Sequence, residues 1–351
     1  MTTREGHRLR LAVVFGGQSS ESGVSCLTAQ SVIANVDRER YDITPIGITT
    51  TGDWVIEPAD WTDIPAGELP HVRPDGEPFA WERLREFDVV FPLLHGPWGE
   101  DGTVQGLFEM AGVRYVGAGV LASAVAMDKP FTKALLASVG LPQVPYVTVT
   151  PLQWANDRDR VLDRIQALRL PVFVKPARAG SSSGITQVET IDSLEPAIRA
   201  AQAFDPKVVV EAAILNKREV ECGVLQQPDG TALASAVGEV RTDTSHAFYD
   251  FESKYLDGTS TNIVPADIPD TVADRVREYS VKAFEAVGGE GFARVDFFLV
   301  GEDLVVNEIN TIPGFTAFSM FPLLWEASGV PYPELIDRLI NLAVERPLGL
   351  R

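Results

Sequence analysis

Residues Gly291–Asn310 read GFARVDFFLVGEDLVVNEIN, two strand patterns flanking Gly301-Glu302-Asp303, and this predicts a β-hairpin. With the turn centred on Glu302, Asp296 lies opposite Glu308 and Arg294 opposite Asn310. Strand alternation then puts all four side chains on one face. Directly opposed Cβ atoms are about 4.5–5.5 Å apart, so two carboxylates at that spacing repel unless a cation lies between them. Asp, Glu and Asn oxygens are what Mg²⁺ accepts, and Mg²⁺ usually keeps phosphate and water as its other ligands. The plain alternative is a solvated polar sheet face. Against it, Phe297, Val305 and Ile309 already supply an apolar opposite face.

A phosphate partner is suggested upstream by Val174–Gly184, VKPARAGSSSG. A Gly/Ser loop after a strand offers unhindered backbone N–H groups to phosphate, and Lys175 adds charge. The same loop matches G-x-S-x-G at Gly180–Gly184, but a hydrolase elbow needs strand-turn-helix, and Ile185–Val188 reads as a returning strand. Gly117-x-Gly119-x-x-Ala122 imitates a dinucleotide fingerprint without the acidic residue about 20 positions on, so it reads as a turn. No G-x-x-x-x-G-K-[ST] is present. Lys129, Lys175, Lys254 and Arg294 are the candidates for gathering phosphate; Lys129 and Lys175 stand out by apolar flanks and Pro neighbours (MDKP, FVKP).

Toward the N-terminus the pattern changes. Leu11–Phe15 (LAVVF) ends in Gly16-Gly17 and reads as a buried parallel strand, followed by a helix over Ser25–Asn35. Val89–Leu94 is a second buried strand, and a helix with Val104, Leu107, Phe108 and Ala111 on one face follows, capped by Asp101 or Thr103. Strand-turn-helix units make the first ~125 residues an open parallel α/β domain. Trp54–Arg85, rich in Pro, Asp and Glu, reads as an irregular surface insertion, and Met127–Gly140 as one helix closed by Gly140 and Pro142. Val172–Lys175, Ile185–Val188, Val208–Glu211 and Val220–Leu225 then follow as strands of an α+β region. Arg241–Asn262 has few aliphatic residues and no period; such a stretch in a compact protein is usually a lid or a disordered segment. The expected division is 1–126, 127–212 and 213–351, with a lid loop over 241–262.

The 351 residues carry 30 Lys+Arg against 49 Asp+Glu, a net charge of -19. That surface repels phosphodiester backbones and anionic lipid, which argues against nucleic-acid or membrane binding but leaves room for one small anion in a local basic pocket. With 45 % hydrophobic residues global disorder is excluded. Cys26 and Cys222 form neither a disulfide framework nor a zinc site and suit a reducing cytosol. The first residues lack the apolar stretch of a signal peptide, and no run approaches the roughly 18 apolar residues of a membrane span.

Taken in order, GGQSSESGVS (16–25), HGPWGEDG (95–102), MDKPFTK (127–133), VKPARAGSSSG (174–184), EAAILNKREVECGV (211–224), FYDFESKY (248–255), GFARVDFFL (291–299) and NEINTIPGFTAFSM (307–320) resemble the D-alanine–D-alanine ligases of the ATP-grasp superfamily. The resemblance implies an N-terminal open parallel α/β (preATP-grasp) domain, a small central α+β domain and a C-terminal α+β domain. It implies a cytoplasmic, homodimeric enzyme of peptidoglycan synthesis that uses ATP with two Mg²⁺ or Mn²⁺ ions. ATP phosphorylates one D-alanine carboxylate, and the amine of a second D-alanine displaces the phosphate.

By position in those motifs, the resemblance places Lys129, Lys175, Ser182 and Lys254 on the ATP phosphates. Glu211 opens the adenine-contacting segment, Glu219 holds the ribose, and Asn307 belongs with Glu308 at the nucleotide. Asp296, Glu308 and Asn310 match the metal ligands, in agreement with the hairpin argument. Arg294 and the Gly314 N–H would form the oxyanion site. Glu21 would hold the first ammonium with His95 nearby, while Ser319 and Met320 would meet the second carboxylate. Lys254 and Tyr255 would sit in the lid, latched through Glu21, Ser181 and Tyr255. The intact FYDFESKY favours a dipeptide over a depsipeptide product, although His246 lies earlier in the same lid; D-serine is less easily excluded as second substrate. Ser22 and Ala212 stand where the family usually has a basic residue. A nucleotide-binding protein that has lost its chemistry, or an ATP-grasp ligase for other substrates, would share the fold. The retained Arg294, Asp296, Glu308 and Asn310 speak against the first, and Ser181, Tyr255 and Ser319 against the second.

Overall fold

The structure is a computed structural model that describes residues 8–58, 69–180, 183–242 and 260–349. Ser181, Ser182, His246, Lys254 and Tyr255, and with them most of the expected lid, lie outside the described residues.

The first sheet has the order β4-β3-β2-β1-β5. Its centre, β1 (Leu9–Gly16), runs parallel to β2 (Tyr41–Ile48) and β5 (Val89–Pro92). The unbroken apolar run of β1 reflects burial on both faces: Leu11, Val13 and Phe15 enter one core cluster, and Ala12 and Val14 another. Helix α1 (Ser22–Asn35) starts three residues before the expected Ser25. The expected insertion is less irregular than its composition suggests. β3 (Trp54–Ile56) pairs antiparallel with Ile46–Ile48, and β4 (Glu77–Pro78) pairs with β3, so part of it extends the sheet edge. Helix α2 (Thr103–Ala111) is capped by Gly102 at φ +90, not by Asp101 or Thr103; the Asp101 carboxylate accepts the Thr103 N–H from outside, at 3.0 Å.

The helix expected over Met127–Gly140 forms from Lys129 to Ser138, and a further helix ends just before it, beginning at Val120 within the stretch that reads as a turn in the sequence. α3 (Val120–Met127) stops at Asp128, and α4 (Lys129–Ser138) begins there. Pro130 cannot donate into a preceding turn, while the Asp128 carboxylate accepts the Phe131 N–H and caps the second helix.

The second sheet, β6-β9-β7-β8, is wholly antiparallel. It comprises β6 (Tyr146–Val149), β7 (Val172–Pro176), β8 (Thr186–Val188) and β9 (Val208–Ala212). Helices α6 (Arg158–Gln166) and α7 (Leu194–Gln202) cover one face through Val161, Ile165, Leu194 and Ile198. A short helix, α5 (Pro151–Asn156), precedes them. The return of Thr186–Val188 as a strand removes the strand-turn-helix that a hydrolase elbow needs.

The third sheet, β12-β11-β10-β13-β14, is also antiparallel. Its strands are β10 (Arg218–Gln226), β11 (Ala232–Thr242), β12 (Ser260–Ile263), β13 (Phe292–Val300) and β14 (Asp303–Asn310). The expected lid thus begins and ends in strand, with Arg241 opposite Thr261. Helix α8 (Asp270–Ala286) packs with Val220, Cys222, Val295 and Phe297 on the apolar face. Two C-terminal helices follow, α9 (Met320–Ala327) and α10 (Tyr332–Glu345). The latter returns to the first sheet, where Leu335, Ile336, Leu339 and Ile340 join the cluster around Leu11, Val13 and Phe15. Among the described residues no helix is long and apolar enough to cross a membrane.

The decisive hairpin has the expected pairs, Asp296 with Glu308 and Arg294 with Asn310, but reaches them differently. Its turn is Gly301-Glu302 alone, with Val300 opposite Asp303, and the register shifts between Asp296 and Phe297, where Val306 rather than Asn307 faces Phe297. Asn307 is the extra residue of a β-bulge. Because of the one-residue shift, Val306 and Leu304 enter the core, and Val305, expected there, does not.

Candidate active site

On the third sheet, alternation opposite the apolar face leaves Glu219, Glu221, Arg294, Asp296, Glu308 and Asn310 together. Arg294 grips Asp296 with both arms: Nε donates to Oδ1 and a terminal nitrogen to Oδ2, each at 2.7 Å. Its Nε also lies 2.8 Å from Glu221 Oε2 on the neighbouring strand. Burial works against the Arg294 charge, but Asp296 and Glu221 outweigh it and hold the guanidinium firmly protonated. Asn310 Nδ2 donates to Asp296 Oδ2 at 3.0 Å. Asn307 sits in the bulge beside Glu308, and Glu219 meets Lys217 at 2.9 Å.

On the second sheet, Phe173 pairs with Glu211 and Lys175 with Val209, so Lys175 and Glu211 share the face away from α6 and α7. The buried Glu211 carboxylate is held by two lysines, Lys175 on Oε2 at 2.7 Å and Lys133 on Oε1 at 2.8 Å. Burial favours its neutral form, yet the two cations prevail and draw its pKa down to about 2. Lys175 is raised in turn, the Glu211 charge overcoming desolvation. Lys129 donates to the Ala179 carbonyl at 2.7 Å; burial lowers its pKa, and Lys175 adds to that against the pull of Glu308.

The substrate side is built on the first sheet. Glu21, between β1 and α1, is buried, and its N–H donates to Ser19 Oγ at 3.1 Å. Two glycines close on its carboxylate: a Cβ at Gly96 would stand 2.4 Å from Oε2, and one at Gly180 2.7 Å. The loop that continues into Ser181 therefore abuts Glu21. His95 Nδ1 lies 3.1 Å from the Ile312 carbonyl and Nε2 3.2 Å from Thr28 Oγ1. Burial pushes its pKa down to about 4, so the ring is neutral near pH 7. Glu100 accepts the Gly96 N–H at 2.8 Å; burial first, and then the Glu21 and Glu308 charges, push its carboxyl up to about 8.

One cavity of about 750 Å³ gathers these groups. Glu21, His95, Lys129, Arg294, Glu308, Asn310, Gly314, Ser319 and Met320 line it, as do Glu100 and Glu221. Lys175, Glu211, Glu219, Asp296 and Asn307 are not among its walls. Ser319 is the N-cap residue of α9, but its hydroxyl makes no cap bond; it accepts the Thr316 N–H at 3.1 Å and bonds Thr316 Oγ1 at 2.8 Å. The Met320 side chain packs with Val240 and Leu324, which makes its backbone N–H the polar group it can offer.

Sequence reasoning passed over Lys133, Glu221 and Glu100. Lys133 is four residues after Lys129 on α4, the same helix face, and Glu221 is two residues after Glu219 on one strand face; both signals were present. Glu100 lies in a loop without periodicity.

The donor set suits Mg²⁺: two carboxylates and an amide, all oxygen. Among the described residues no group of three or more His, Cys, Asp or Glu could hold a metal ion, so phosphate and water would complete its coordination.

An open sheet, parallel at its centre and antiparallel at one edge, followed by two antiparallel sheets that carry buried lysines and paired carboxylates, defines an ATP-grasp enzyme. Residues 10–118 match the D-ala D-ala ligase N-terminus family and residues 135–341 the D-ala D-ala ligase C-terminus family. A D-alanine–D-alanine ligase of Kineococcus radiotolerans is 52 % identical, over 97 % of this chain and 98 % of its own. That of Mycobacterium ulcerans is 49 % identical over 100 % and 99 %. Among solved structures, the VanG D-Ala:D-Ser ligase of Enterococcus faecalis superposes with a TM-score of 0.80 at 34 % identity, covering 96 % of this chain and 100 % of that one. The Bacillus anthracis D-alanine–D-alanine ligase complexed with ATP gives 0.74 at 27 % identity, covering 96 % and 97 %. The chain belongs to the D-alanine–D-alanine ligase family.

Proposed function

We propose that this chain joins two D-alanines into D-alanyl-D-alanine for peptidoglycan synthesis, with ATP converted to ADP and phosphate. A carboxylate is a poor electrophile. Transfer of the γ-phosphoryl group to an oxygen of the first D-alanine gives an acyl phosphate and ADP; the second amine attacks the carbonyl carbon, loses a proton, and phosphate leaves.

The observation that carries this reading is the convergence in one cavity of Lys129, Arg294 and Glu308 with the buried Glu21. Lys129 and Lys175 neutralise phosphate oxygens, as fixed cations should where charge develops. Asp296, Glu308 and Asn310 would hold Mg²⁺, which when bound would supply positive charge to neutralise the phosphates. Glu211, Glu219 and Asn307 hold the rest of the nucleotide, with Ser182 and Lys254 from the segments outside the described residues. Glu21 takes the first ammonium, and neutral His95 lies beside it. Arg294 and the Gly314 N–H stabilise the tetrahedral oxyanion. Ser319 and the Met320 N–H, at a helix start whose first turn has no side-chain cap, take the second carboxylate. The Glu21–Ser181–Tyr255 latch completes the closed site and keeps water from the acyl phosphate. The enzyme works in the cytoplasm, where ATP is made, as a homodimer.

The test is phosphate release in mixtures lacking one component at a time. Release should require ATP, Mg²⁺ and D-alanine together, and Glu308→Gln should abolish it. ATP turnover indifferent to D-alanine would refute the reading. Product masses with D-alanine, D-serine and D-lactate identify the second substrate.

A further inference from the structure

The Arg294–Glu221 contact has no role in the scheme above, and two demands fall on Arg294. It must stabilise an oxyanion, yet both its arms are engaged with Asp296, a proposed metal ligand. A carboxylate that gives its oxygens and its charge to a divalent cation no longer serves a guanidinium, and the cation then repels its former partner. Arg294 needs a second anchor, and the structure supplies one. Glu221 pairs with Asp296 across β10 and β13, while Gly223 pairs with Arg294, so no side chain of β10 stands directly opposite the guanidinium's own residue. Glu221 Oε2 comes to 2.8 Å of Arg294 Nε, the nitrogen that also lies 2.7 Å from Asp296 Oδ1. Nε carries one hydrogen, now directed at Asp296. Two buried carboxylates therefore stand at one N–H.

We propose that Glu221 is a positioning residue for metal loading: when Mg²⁺ draws Asp296 away, the Arg294 Nε–H turns to Glu221, which keeps the guanidinium over the cavity with its terminal nitrogens free for substrate. This rests on the metal role given above to Asp296. Without Glu221, Arg294 and the metal compete for the same carboxylate, so metal binding weakens; removing Arg294 as well ends the competition.

The test counts free Mn²⁺ by electron paramagnetic resonance while the protein, with a non-hydrolysable ATP analogue, is titrated with Mn²⁺. Glu221→Gln should raise the apparent Kd about tenfold, within the range of coupling between contacting charges. Glu221→Asp should recover part of the loss, and the double variant Glu221→Gln/Arg294→Met should return to within about threefold of the parent. A double variant as weak as Glu221→Gln overturns the proposal, as does an unchanged Kd in Glu221→Gln. Arg294→Met alone tests for a simple balance of charge, which would make it bind Mn²⁺ about tenfold more tightly than the parent and would overturn the proposal; the hand-over to Glu221 leaves it within about threefold. Asp296→Asn separates the two levels. If it binds Mn²⁺ like the parent, the metal assignment fails and the proposal with it; if it loses Mn²⁺ while Glu221→Gln does not, only the proposal fails. Circular dichroism and the thermal midpoint of each variant establish that the folded protein is being titrated.

Discussion

Lys133 reaches Glu211 from inside α4, with its Nζ 2.8 Å from Oε1, while Lys175 holds the other oxygen. Both Lys133 and Glu211 are almost wholly buried. A carboxylate between two cations stays balanced when one cation turns to a ligand, so Lys133 lets Lys175 serve phosphate without stranding a buried charge. Breaking a buried pair from one side costs about 3–5 kcal/mol. Lys133→Met should therefore lower stability in urea unfolding by about 3 kcal/mol; Lys133→Met/Glu211→Leu should not recover it, because Lys175 then loses its carboxylate, whereas the triple variant Lys133→Met/Lys175→Met/Glu211→Leu, which removes all three charges, should recover much of it. In the single variant ATP should also bind less tightly, since Lys175 alone must then satisfy Glu211.

His95 and Glu211 should make stability depend on pH in two successive windows that overlap near pH 4. The His95 pKa falls from its ordinary 6.5 to about 4 on burial. Between those values the unfolded chain binds a proton that the folded chain refuses, so stability drops as pH falls through this window, by about 2 kcal/mol at pH 5. His95→Gln should remove this loss of unfolding free energy toward acid between pH 6.5 and 4, leaving the opposite slope of Glu100, whose carboxyl is raised to about 8. Glu211, drawn down to about 2 from its ordinary 4.5, also contributes stability that is lost as pH falls, but over the lower window from 4.5 to 2. Urea midpoints measured across both ranges distinguish the two; a His95→Gln profile still falling toward acid above pH 4.5 would contradict the assignment.

Ser319 spends its hydroxyl on Thr316 rather than on its own helix. Removing that hydroxyl takes no cap bond away, so Ser319→Ala should change stability by less than about 1 kcal/mol. If the hydroxyl and the first N–H groups of α9 hold the second carboxylate, the same change should raise the apparent KM for D-alanine about tenfold, the worth of one charge-assisted hydrogen bond. Initial rates at varied D-alanine and fixed ATP check this.

The parts of the fold with a strong period were legible. LAVVF is apolar on consecutive residues because both faces of β1 are covered, and the hairpin alternation put Asp296 against Glu308. That pairing came out right through two compensating departures. The turn is one residue tighter than a centre on Glu302 implies, and the bulge at Asn307 restores the register. In a straight ladder Asn307 would face Asp296, and Glu308 would point into the core. A bulge is invisible to alternation because it alters parity without altering composition, and so Val305 was placed in the core where Val306 belongs. The helix Val120–Met127 was missed because Gly117 and Gly119 read as a turn and its run VLASAVAM, apolar all round but for Ser123, shows no 3.6-residue stripe. Glu100 escaped notice because its loop has no period, and the charges that face it, Glu21 and Glu308, come from distant parts of the chain; Glu221 shares the strand face of Glu219, but its partner Arg294 lies on another strand.

Gly180 and Gly96 make a matched pair of probes for the Glu21 carboxylate. At Gly180 every heavy atom nearest an added Cβ belongs to that carboxylate, from 2.7 to 3.3 Å, and at Gly96 the nearest is its Oε2 at 2.4 Å. The carboxylate is the far end of a side chain and can turn aside, so Gly180→Ala should displace Glu21 rather than unfold the protein. Displacing a buried ammonium partner should raise the KM for D-alanine at least tenfold, since a hydrogen bond to a charged group contributes about 1.5–3 kcal/mol, and should leave the KM for ATP within about twofold. Gly96 adds a second penalty, because its φ of +75 is a left-handed conformation that costs a residue with a Cβ about 1–2 kcal/mol. Gly96→Ala should therefore show the same rise in the KM for D-alanine together with a measurable fall in unfolding free energy, which Gly180→Ala lacks. Equal destabilisation of both variants with an unchanged KM for D-alanine would mean that these glycines serve packing alone, and that Glu21 does not hold the first ammonium.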